Sequence, residues 1–358
     1  MRYATLMELS PPVKPDNAEG NSVVRTCLRH VDMAEPECYR PQPMFPIDQA
    51  KRLPVLIALS TLLVLFSPAL PSSAEPAHNP INIVVTIPVL KDLAEQVGGP
   101  HVQVKSLLSG YENEHTYSPK PTDLVAVRKA QLLFEIGTGL EVWVASLVKN
   151  AGSPSLRVVT TSQGVGLIRD DSDLHHNEHQ ENGEHASGGN PHIWLDPENV
   201  AIMLRHITAA LIEIDPAHTE TYRNNQAAYL QRLDRLRHEL SDRVKPLSDR
   251  RFVAHHPAWP YLARRFGFEI AATIQVQTGT EPSALQLQAL IEKIRKDHIK
   301  VIVSEIQLSQ KLPDLLGKET KARVVVLTTL PGGLPGTDSY LDMLRYNVLQ
   351  LANALETP

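Results

Sequence analysis

The chain has 358 residues, room for two domains of ordinary size. Lys and Arg total 35 against 40 Asp and Glu, a net charge of -5, which argues against a nucleic-acid partner because that partner would call for a basic face. Against an aromatic content of only 5%, fifteen histidines stand out, and 28 prolines announce many fixed loop ends.

Residues 1–43 are Pro-rich, lack periodicity and hold both cysteines, Cys27 and Cys38. They are expected to be a mis-assigned or disordered extension ahead of a start at Met44. Residues 44–74 read as a signal peptide. Lys51 and Arg52 precede an apolar run from Leu53 to Phe66, and Ser72-Ser73-Ala74 offers small residues for cleavage after Ala74. The run is short for a spanning helix, and no cysteine follows it to take a lipid. The expected location is the periplasm. The exported part then has no thiolate, so any metal it holds must be bound by histidines and carboxylates.

From Ile81 strands and helices alternate. "INIVVTI" reads as a buried parallel strand, "VLKDLAEQVGG" as an amphipathic helix ending in glycine, and "VQVKSLL" as a strand. "PTDLVAVRKA" is a helix, "QLLFEIG" a strand, "GLEVWVASLVKNAG" a helix and "LRVVTT" a strand. A loop at 170–190 follows, containing "LHHNEHQENGEH", too polar to bury a face. Its His175, His176, His179 and His185 are a candidate weak secondary metal site. "HIWLDPENVAIMLRHITAALIEI" is then a loop and a helix.

Leu230, Leu233, Leu236 and Leu240 recur at helical spacing in the stretch 216–246, which reads as one linking helix. At 1.5 Å per residue the part from Pro216 to Lys245 spans about 45 Å, long enough to brace two lobes. After it the alternation resumes through "RRFVAHH", "FEIAATIQV", "KVIVSEI" and "RVVVLTT", each followed by a helix. The expected fold is α/β: a lobe over 79–215 and a lobe over 247–358, each with a parallel sheet, joined by one long rigid helix. In such sheets ligands lie outside the carboxyl ends of the strands, here in the cleft between the lobes.

Three histidines fall at that cleft. His115 follows a strand in "ENEHTYSPKPTD", His192 is pinned between prolines in "NPHIWLDP", and His256 leaves a strand in "VAHHPAW". Singly, each is better read as a capping or surface histidine. Together, with one further position, they suit Zn²⁺. Their unperturbed pKa sets an expectation that binding weakens as pH falls through about 6.5. A zinc hydrolase is the competing reading, but the sequence has no HExxH and no evident general base.

These motifs resemble the cluster A-I, ZnuA-like metal-binding proteins of ABC importers, as does "GTDSYLDMLRYN" near the end. The resemblance covers nearly all of Asn79 to Leu355. It implies two α/β lobes tied by a rigid helix, Zn²⁺ as transported ligand, a membrane permease with its ATPase as partner, a monomer, and no catalysis. Mn²⁺ or Fe²⁺ is the alternative cargo within the same importer class. Carried over, the ligands are His115, His192 and His256, with His255 outside the set. Where the family often has an aspartate after the last strand, this chain has Thr328-Thr329-Leu330. Glu114, or water, is then the candidate fourth ligand. Glu305, at a strand end, is a candidate to orient a histidine from behind.

Overall fold

The computed structural model describes residues 79–169, 189–275 and 280–356. The extension, the signal segment and most of the His-rich loop lie outside them. The first lobe runs β1 (Ile81–Val85), α1 (Pro88–Gly98), β2 (Val102–Ser106), α2 (Pro121–Lys129), β3 (Leu132–Glu135), α3 (Val144–Ala151), β4 (Arg157–Thr160) and α4 (Pro197–Ile214). Its four strands are parallel, in the order β2-β1-β3-β4. The bridge is α5 (Thr219–Val244), preceded by a 3-10 turn at Pro216–His218. The second lobe runs β5 (Arg251–Ala254), α6 (Pro260–Phe266), β6 (Glu269–Thr273), α7 (Ala284–Lys296), β7 (Val301–Glu305), α8 (Lys311–Thr320), β8 (Arg323–Leu327) and α9 (Tyr340–Glu356). Its parallel order, β6-β5-β7-β8, repeats the first.

Proline sets several boundaries. α1, α2, α4 and α6 each carry Pro in their first turn, where its missing N–H costs no helical hydrogen bond. The reading of α3 from Gly139 overshoots by a turn. Gly137, Thr138 and Gly139 all have positive φ, and the buried Glu141 carboxylate accepts from the backbone N–H of Ile136 and Gly137. That local network wins over helical periodicity until Val144.

α5 is 26 residues, about 39 Å long. It buries Tyr222, Tyr229, Leu233, Leu236, Leu240 and Val244 along one face, against α1 and α4 of one lobe and α6 and α9 of the other. Leu230, which the sequence pattern placed in this stripe, is only partly buried. One apolar core runs unbroken from β1 through α5 to α9. A smaller core lies under α7 and α8.

Candidate metal centre

Three loops leaving the carboxyl ends of strands converge between the sheets. His115 comes from the loop after β2, His192 from the segment between β4 and α4, and His256 from the end of β5. His192 Nε2 lies 3.0 Å from His115 Nε2 and 3.3 Å from His256 Nε2. One ring nitrogen from each lies within 4.8 Å of the others. Two ligands at 2.0–2.1 Å on a tetrahedral ion stand roughly 3.3 Å apart, so the trio is spaced to share one cation. His255 is also buried but is not part of the convergent group.

Two of the three rings have a partner behind them. Asn190 Oδ1 accepts from the His192 backbone N–H and lies 3.0 Å from His192 Nδ1, which turns Nε2 toward the cleft. Glu305, fully buried at the end of β7, has Oε2 2.5 Å from His256 Nδ1, while its Oε1 accepts from Trp259 Nε1 at 3.0 Å. The His115 loop is tied to the other lobe through Gly110, whose carbonyl accepts from Gln307 Nε2 at 2.7 Å. A Cβ on Gly110 would stand 2.4 Å from the Pro331 carbonyl, and its φ of +107° already favours glycine.

Glu114 lies beside the three histidines. Its side chain is buried, and Oε1 lies 3.8 Å from His192 Nε2. Thr329 Oγ1 donates to that same oxygen at 3.2 Å. Thr329, in the Thr328-Thr329-Leu330 stretch that replaces the family's aspartate motif, thus reaches a carboxylate supplied by the other lobe.

Burial shapes the charges. It lowers His115 to about 4, helped by the charge on His256, and it drives His192 well below the usual imidazole range. Burial would lower His256 too, but the Glu305 carboxylate outweighs it and raises that ring. Glu305 is itself held low despite burial, chiefly by His256, and burial raises Glu114. The three imidazoles are therefore not equivalent: the shared low-dielectric pocket pushes two down, and Glu305 pushes one up.

Sequence reasoning missed Asn190, Trp259 and Thr329 as supports. Only Thr329 had a signal, as a departure from the family pattern. His175, His176, His179 and His185 lie outside the described residues.

A sequence model for the family described as "Zinc-uptake complex component A periplasmic" matches residues 83–354. The chain belongs to the ZnuA family. It is 29% identical over 306 residues to the "High-affinity zinc uptake system protein ZnuA" of Brucella abortus, covering 76% of this chain and 90% of that one. It is 28% identical over 312 residues to the "Iron-binding protein YfeA" of Yersinia pestis, covering 86% and 96%. Its fold matches a crystal structure of ZnuA with TM-score 0.69 and 30% identity, over 78% of this chain and all of that one. ZnuA-family proteins are metal-binding, solute-carrying components of ABC importers and not enzymes, which disposes of the hydrolase reading.

Proposed function

We propose that this ZnuA-family chain captures Zn²⁺ in the periplasm and delivers it, as a monomer, to an ABC permease driven by its ATPase. His115, His192 and His256 bind the ion through Nε2, and the Glu114 carboxylate is the fourth ligand. The carrying observation is the convergence of three imidazole nitrogens within 4.8 Å of one another, with the buried Glu114 carboxylate 3.8 Å from His192 Nε2 beside them. Three nitrogens and one oxygen favour zinc over manganese, which prefers more oxygen ligands. The zinc uptake protein of Brucella supports this reading, and the iron-binding protein of Yersinia marks the competing cargo. Export rests on residues 44–74 as a cleaved signal.

Zinc titration by calorimetry, with Mn²⁺ and Fe²⁺ as competitors, tests the assignment. His115→Ala, His192→Ala and His256→Ala should each weaken the tight site at least about a hundredfold, beyond what loss of a supporting group costs. His255→Ala should stay near the parent. Tighter binding of Mn²⁺ than of Zn²⁺ would move the cargo to the alternative. The His-rich loop adds a second, weaker class, because ordering a polar segment around an ion offsets part of the binding free energy. Deleting residues 171–188 should remove that class and spare the tight site. If the tight site disappears with the loop, one of its histidines is a primary ligand.

A further inference from the structure

A second group of ligand atoms lies at the far edge of the first lobe. His101 ends the 3-10 turn Gly99–His101 and directly precedes β2, so it sits at the amino edge of the sheet, away from the cleft. Asp215 caps the carboxyl end of α4, and His218 closes the turn that opens α5. One ligand atom from each of the three lies within 4.8 Å of the other two. α4 separates this group from the His192 segment by its full 18 residues, roughly 27 Å.

The three side chains are arranged around one another. The imidazoles of His101 and His218 stack with centroids 3.7 Å apart, and His218 Nδ1 lies 2.6 Å from Asp215 Oδ2. Tyr222, fully buried on the first turn of α5, donates its hydroxyl to the same oxygen at 2.7 Å and sets its ring edge-on to His101. A carboxylate fixed by a buried tyrosine is the kind of support that orients metal ligands. The side chains of Asp215 and His218 are each 11% exposed, so an ion can reach them from solvent. The carboxyl end of α4 contributes negative dipole potential to a cation there.

We propose that His101, Asp215 and His218 form a second divalent-cation site, distinct from the cleft and suited by its two imidazoles and one carboxylate to Zn²⁺. Three protein ligands leave a fourth position for water. The ion clips together the turn between α1 and β2, the end of α4 and the start of α5, which anchors the long helix at its amino end. Binding requires His218 Nδ1 and Asp215 Oδ2 to part from 2.6 Å to roughly 3.3 Å, the separation of two ligands on one ion, and the stacked His101 and His218 rings to splay until both planes contain it.

The test is zinc titration of the full chain, paired with zinc-edge anomalous scattering from crystals soaked in Zn²⁺. An anomalous peak between His101, Asp215 and His218 is expected, separate from the cleft. In solution, His101→Ala and His218→Gln should each remove one equivalent of zinc while leaving the tight equivalent that depends on His192. Tyr222→Phe should weaken the same equivalent about tenfold, with circular dichroism unchanged. If the histidine variants fail to fold, Tyr222→Phe and the anomalous map still decide. Isotherms of folded variants that superimpose on the parent, or a map with zinc in the cleft and none here, would overturn the proposal.

Discussion

Glu305 stands to His256 as Asn190 stands to His192: it lies against Nδ1, so that Nε2 faces the cleft. The chemistry of the two supports differs, and so do the consequences. A neutral amide leaves His192 to the effect of burial, whereas a carboxylate raises His256. In the metal-free protein His115 should stay neutral down to about pH 5, because burial lowers it to about 4, and His192 should protonate only well below the usual imidazole range. His256 should take its proton above the ordinary imidazole value. The sign follows: lowering pH through the His256 range adds one competing imidazole proton and weakens metal binding, and the other two rings compete only in stronger acid. Histidine ring resonances of the metal-free protein, followed by NMR from pH 8 to pH 4.5, check this. Three rings titrating together near 6.5 would show that the pocket leaves them unperturbed. The convergence of the three histidines was legible in the sequence because His115 and His256 follow strands and His192 is pinned between prolines. The charge asymmetry was not, since Glu305 reaches His256 from 49 residues away.

At the scale of elements, the start of α4 is the joint that matters. Asp196, wholly buried, accepts from the backbone N–H of Glu198 and so caps α4. The same carboxylate takes a forked pair from Arg265 of α6, Nε to Oδ1 at 2.7 Å and Nη2 to Oδ2 at 3.0 Å. Trp194 Nε1 donates to the Thr329 carbonyl, and Tyr261 donates to the Asn190 carbonyl. The segment that carries His192 is therefore gripped from the second lobe on both sides. Arg265→Ala leaves Asp196 buried with only the exposed Arg264, 3.5 Å away, as cationic partner. That should cost about 3 kcal/mol of stability, read as a lower urea midpoint. Arg265→Lys should recover only part, since an ammonium cannot make the fork. An unchanged midpoint for Arg265→Ala would mean that water replaces the guanidinium freely. The strands and helices were readable from alternation and proline, but this clasp was not. Nothing in "HIWLDP" announces an arginine 69 residues later. The His101 group was hidden for the same reason: only the Asp215–His218 spacing is local.

For the whole molecule the question is how an ion enters and leaves a buried site. Hinged binding proteins open where a few loop residues absorb the rotation between lobes. Here the lobes share one apolar core, and α5 packs on both. Asp92 of α1 accepts from the backbone N–H of Tyr340 at the start of α9, so the first lobe caps a helix of the second. Tyr340 in turn donates its hydroxyl to the Trp194 carbonyl. Opening such an interface would expose core that is continuous across it, at about 25 cal/mol per Å² of apolar surface. A local route is cheaper. The segment from Ser109 to Ser118 carries Glu114 and His115, contains no regular element, and meets the second lobe through Gly110, Gln307 and Thr329. Zinc should therefore leave the small-angle scattering profile of the protein unchanged while slowing hydrogen exchange in residues 109–118. Gln307→Ala, which removes the donor to Gly110, should speed zinc release without altering the overall shape. A compaction of the whole particle on zinc binding, with no protection of that loop, would show that the lobes move as rigid bodies after all.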